Sequence, residues 1–79
     1  MLVIQTAATQ ARTEALDAFR ARRALLGDTA CNYWVFERAD APGTFTQFLE
    51  AGDEATLQRA CRLALGAHHD DPILREVEL

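Results

Sequence analysis

Lysine is missing from this chain: all eight basic residues are arginine, and twelve Asp and Glu outnumber them for a net charge of −4. With no basic run, the attraction that draws proteins to a nucleic-acid backbone or an anionic membrane surface has the wrong sign, and both partners are set aside. Cysteine is scarce. Cys31 and Cys61 are too few for a disulfide framework and fall in different predicted elements, so reduced thiols acting as small hydrophobes are expected. No stretch approaches the roughly 20 apolar residues of a membrane helix, and the start MLVIQTAATQ has neither the basic region nor the long apolar segment of a secretory leader. A cytoplasmic location is the expectation. Catalytic signatures are missing too, since no P-loop, GxGxxG, CxxC or spaced Ser/His/Asp set occurs. The all-arginine, alanine-rich composition fits a GC-rich bacterial coding sequence.

What is present is an ordinary globular composition, 49% hydrophobic and 25% charged over 79 residues. One domain of this size has a marginal core, and oligomerisation is a common remedy. The aromatic residues concentrate between Tyr33 and Phe48, in two strand-like arms joined at Asp40-Ala41-Pro42-Gly43. Pro42 presets φ and Gly43 tolerates positive φ, so Ala41 to Thr44 reads as a type II turn of a hairpin.

Around this hairpin the chain parses into further elements. Leu2 to Ala8 alternates weakly and reads as a central strand. With Thr9 as N-cap, the spacing of Ala11, Ala15, Leu16, Phe19, Leu25 and Leu26 predicts an amphipathic helix over 10–26, ended by Gly27 at positive φ. Asp53 is the N-cap expected for a second helix, whose apolar face carries Leu57, Ala60, Cys61, Ala64 and Leu65 and which stops at Gly66. A polar connector then leads to a last strand, Ile73 to Leu79. Strand, helix, strand, strand, helix, strand is the order of the α+β ferredoxin-like βαββαβ fold: a four-stranded antiparallel sheet with two helices on one face.

Helices on one face leave the other face bare. Period-two reading separates a greasier set, Ile4, Trp34, Phe36, Phe48, Ile73 and Val77, which is expected to face the helices. The other set mixes bulk with amides and carboxylates, as interface cores do, and includes Gln5, Tyr33, Val35, Glu37, Phe45, Gln47 and Leu49. These seven are the expected interface of a homodimer in which a second copy covers the open face.

The run Tyr33-Trp34-Val35-Phe36-Glu37-Arg38, the Pro42-Gly43 turn, Phe45-Thr46-Gln47-Phe48-Leu49-Glu50 and Asp53-Glu54-Ala55-Thr56-Leu57 together resemble the dimeric α/β-barrel superfamily, most closely proteins of the antibiotic biosynthesis monooxygenase (ABM) type. The match departs at Gly52, where members often carry a tryptophan. The resemblance implies two ferredoxin-like sheets paired face to face as a dimeric α/β barrel. It also implies a small hydrophobic or aromatic ligand, with cofactor-independent monooxygenase chemistry as one activity of such proteins. A non-catalytic structural or regulatory homodimer is the rival reading.

Asn32, Trp34, Thr46 and His68 are the candidate substrate-pocket residues, with a packed core around a hydrogen-bonded indole as the plainer alternative. His68 and His69 with Asp70 and Asp71 read as a solvated helix-to-strand connector, since no spacing supplies a third metal ligand, with a haem-ligating or proton-transferring His68 as the alternative. On the connector reading no metal and no cofactor are expected. Arg20, Arg22 and Arg23 read as a solvated helix face, with attraction of an anionic ligand as the alternative.

Overall fold

A computed structural model describes residues 1–67 and 69–79 of the chain. Its elements run β1 (Leu2–Ala8), α1 (Arg12–Leu25), β2 (Cys31–Glu37), β3 (Thr44–Ala51) and α2 (Glu54–Leu65). The strands form one antiparallel sheet in the order β1-β3-β2.

The β2–β3 hairpin closes as its sequence dictates. Thr44 N–H donates to Ala41 O at 3.1 Å, and Gly43 takes φ +91°. A Cβ on Gly43 would lie 2.7 Å from the carbonyl oxygen of Thr9, so glycine is required there for space as well as for its backbone angle. Asp53 caps α2, its carboxylate accepting from the Thr56 N–H at 2.8 Å and the Thr56 hydroxyl at 2.9 Å. These bonds favour the charged form and hold the Asp53 carboxyl below its ordinary value. At α1 the expected cap is displaced: Thr9 accepts from the Ala11 N–H at 3.0 Å, and the helix starts at Arg12 with no side-chain cap. Gly27, expected at positive φ after α1, does not adopt it, whereas Gly66, where α2 stops, takes φ +94°.

Two expectations fail. Among the described residues the sheet has three strands, not four, so they do not form the four-stranded ferredoxin-like βαββαβ domain expected, nor half of the barrel built from it. The segment expected as the last strand makes one bridge, in which Leu74 and Leu2 exchange hydrogen bonds of 2.8 and 2.7 Å. Beyond it Val77 and Leu79 are exposed. The reason lies in its pattern: Arg75 interrupts Ile73 and Val77 on one face, and Glu76 and Glu78 follow Leu74 on the other. Neither face offers a continuous apolar strip whose burial would offset the entropy of ordering the segment.

The sheet faces are also reversed. The helices cover Val3, Phe45, Gln47, Leu49 and Ala51, all buried, together with Tyr33 and Val35. The residues expected at a dimer interface, Gln5, Tyr33, Val35, Glu37, Phe45, Gln47 and Leu49, therefore lie on the helix side of their own chain. Helix α2 accounts for this choice. Its inward face, Leu57, Ala60, Cys61 and Ala64, is mostly small, and it closes on the aliphatic side chains Val3 and Leu49 to form the core. Ile4, Trp34, Phe36 and Phe48 point the other way, with Trp34 47% and Phe36 59% exposed. Among the described residues no helix is long and apolar enough to cross a membrane.

Candidate functional site

Helix α1 joins the core poorly. Its spacing is amphipathic, yet many inward positions are alanine, and none of its residues is buried. It stands on the sheet through an edge-to-face contact of Phe19 with Phe45, centroids 5.3 Å apart, and the Arg22 guanidinium lies 5.8 Å over the Phe19 ring. An open cleft flanks that pillar on each side. The one toward β2, about 340 Å³, is walled by Leu16, Phe19, Val35 and Phe45. Its polar groups are Arg12, Arg20, Arg23, Tyr33 and Glu37. The one toward β1, about 220 Å³, has Phe19 and Phe45 as its shared wall, with Ala15 and Ala18 above and Gln5 and Gln47 below.

Beneath the helix runs a polar chain built on the β1–β3 register, which sets Gln5 directly opposite Gln47. Gln47 is buried, and its amide is satisfied within the molecule. Its Oε1 accepts from the Tyr33 hydroxyl at 2.6 Å and from Arg22 Nη1 at 3.0 Å. Its Nε2 donates to Gln5 Oε1 at 3.0 Å, and Gln5 Nε2 donates to Asp71 Oδ2 at 3.2 Å. Every donor points the same way, so the chain runs from a guanidinium and a phenol to a carboxylate, the order that stabilises both charged ends. Burial pushes the Tyr33 phenol above its ordinary value, against the pull of the Arg22 charge. His69 Nδ1 sits 3.7 Å from the same Asp71 oxygen, too far for a hydrogen bond, and is buried without a partner among the described residues.

Of the four expected pocket residues, three share the opposite, outer face. Asn32 donates to Glu50 at 2.7 Å, Thr46 and Thr6 bond through their hydroxyls at 3.0 Å, and Trp34 stands half exposed. None of them lines the clefts beside α1. His68 lies outside the described residues. Glu37 and Glu50 fall on opposite faces of the sheet. Glu37 contacts Arg12 at 3.1 Å and accepts from the Gly43 N–H at 2.9 Å.

The slot toward β2 thus joins aromatic walls to an arginine-lined mouth, which suits binding and orienting a small molecule, while the satisfied amides floor the cleft toward β1. Gln5 and Gln47, expected at an interface with a second copy, find their partners within their own chain. Arg22, on the inward side of α1, was the missing signal. The chain has no serine, and burial pushes the Cys61 thiol up to about 11. Among the described residues no three His, Cys, Asp or Glu gather as metal ligands.

Compared with protein-family models, with curated proteins and with solved structures, the chain finds no match in any of the three. The resemblance of the Tyr33–Glu50 hairpin and the start of α2 to ABM-type proteins rests on those residues alone.

Proposed function

We propose that this chain is a binding protein for a small aromatic or hydrophobic molecule, held between α1 and the sheet. The observation that carries this reading is the fourteen-residue helix with no buried residue, propped on one aromatic pair beside a cleft of about 340 Å³. Ligand sites occupy roughly 300–1,000 Å³ and combine apolar walls with a few convergent polar groups. The oxygenase activity implied by the resemblance would need a group ready to take a proton from the ligand. In the cleft Glu37 is engaged by Arg12 and by the Gly43 N–H, and burial pushes the Tyr33 phenol up, so both are poorly suited to that role, and binding without turnover is the reading we favour. The thiols of Cys31 and Cys61, kept protonated and in different elements, accord with a reducing cytoplasm.

The test is a two-dimensional NMR titration of the full chain with N-phenyl-1-naphthylamine as an uncharged aromatic probe. Saturable shifts centred on Phe19, Tyr33 and Phe45, abolished by Leu16→Trp, are expected. Shifts confined to Trp34 and Phe36 on the opposite face, or none at all, would overturn the reading.

A second property rests on a different observation. Ile4, Phe48 and Trp34 are direct partners across the three strands, Phe36 meets Phe48 edge-on at 5.4 Å, and the face they form is open. At one end it continues into a hollow of about 400 Å³ bordered by Leu2, Glu50 and Leu74. An uncovered apolar strip of this kind marks an association surface, and we propose that a second copy of the chain covers it.

A further inference from the structure

We infer that the cleft between α1 and β2 takes an anionic ligand: an aromatic acid, its rings against Phe19 and Phe45 and its anion at Arg20 and Arg23. This rests on the small-molecule reading above and names the class of molecule.

The argument starts from charge placement. Four of the chain's eight arginines lie in α1, where only Glu14 and Asp17 oppose them, so the helix carries net +2 in a chain of net −4. Three of the four, Arg12, Arg20 and Arg23, line one cleft whose single carboxylate is Glu37. They alternate along one stripe of the helix with Leu16 and Phe19, at the three- and four-residue steps that put side chains on a common face. A merely solvated arginine face would point away from the sheet. This one shares its stripe with the apolar wall, so rings and cations meet the same space.

The three guanidinium groups are not equally engaged. Arg12 is taken up by Glu37 at 3.1 Å and lies 5.7 Å over the Phe45 ring. Arg20 makes one contact through Nη1, to Asp17 at 3.2 Å between two mostly exposed side chains, so its other N–H groups face solvent. Arg23 has no hydrogen-bond or ion-pair partner among the described residues. Two planar donors one helical turn apart, at the mouth of an aromatic-walled cleft, match a carboxylate or sulfonate on a ring.

The test compares two probes with one body. N-phenyl-1-naphthylamine and 8-anilino-1-naphthalenesulfonate differ by the sulfonate, and both are titrated into the full chain with amide shifts of α1 and β2 locating the site. The sulfonate probe should bind at least about tenfold tighter at low salt, and the advantage should shrink in 0.5 M NaCl, roughly where the screening length falls below the size of the cleft. Arg20→Gln with Arg23→Gln should weaken the sulfonate about tenfold and move the neutral probe less than about twofold. Glu37→Gln should act in the opposite direction, tightening the sulfonate severalfold by releasing Arg12 while leaving an amide oxygen for the Gly43 N–H. It decides the matter if the arginine variant does not fold. Equal affinities for the two probes, indifferent to the arginines, would overturn the anionic assignment and leave the slot reading intact. No α1 shifts with either probe would overturn both.

Discussion

Gln47 shows how a single polar residue fixes an interior. A buried amide left without partners is costly, and here its two functional ends recruit one residue from each of β1, β2 and α1. Gly43 matters for backbone rather than side-chain reasons. Gly43→Ala meets positive φ and a carbonyl oxygen 2.7 Å away, so a loss of about 1–3 kcal/mol is expected from urea unfolding at unchanged m-value. Cys61 carries a pH dependence. Burial, aided by the nearby Cys31 and Asp71, lifts its thiol from an ordinary 9.0 to about 11, so the folded chain keeps a proton that the unfolded chain releases. The associated stability is fully present below about pH 9 and is lost as pH rises toward 11, with Cys31 and Tyr33 acting in the same direction. The urea midpoint should therefore decline over that range, and less steeply in Cys61→Ala. A flat profile in the parent chain would refute the assignment.

At the scale of elements, the two helices differ in kind. Helix α2 is capped by Asp53 and buries Leu57, Ala60, Cys61 and Ala64, whereas α1 lacks a side-chain cap and buries nothing. Truncations should report the contrast. Leu57→Ala, at a fully buried site, should cost about 2–5 kcal/mol, and Leu25→Ala, at a site 56% exposed, should stay within about 0.5 kcal/mol by the same unfolding assay. The elements themselves were legible in the sequence because each has local punctuation: Pro42-Gly43 turns the hairpin, Asp53 and Gly66 bound α2, and alternation marks β3. The last strand was misread because Ile73 to Leu79 looks strand-like only when its residues are counted, not when they are assigned to faces. The polar chain beneath α1 was out of reach of local reading. It depends on Arg22 meeting Gln47 25 positions away and Tyr33 meeting it 14 away.

For the whole molecule, the decisive reversal is which sheet face meets water. Counting apolar residues favours burying Trp34 and Phe36, but the small side chains of α2 fit Val3 and Leu49, and the amides on that face satisfy one another. The reversal changes where association is sought. Sedimentation equilibrium at micromolar concentration should give twice the 8.8 kDa chain mass, and Phe36→Arg should return a folded chain of single mass by placing an unpaired charge in the contact. Val35→Arg, on the helix side, should instead unfold the protein. Parent chain sedimenting at single mass would exclude the dimer.

Strand β2 is the outermost member of the sheet on its side, and its sequence CNYWVFE carries no proline and no charge before its final residue. A short, greasy, β-prone segment whose outward backbone N–H and C=O groups have no neighbouring strand among the described residues is a template for cross-β stacking. Fibril formation in concentrated or heated stocks would therefore begin at this rim, and a lysine or proline there would be the gatekeeper that the sequence lacks.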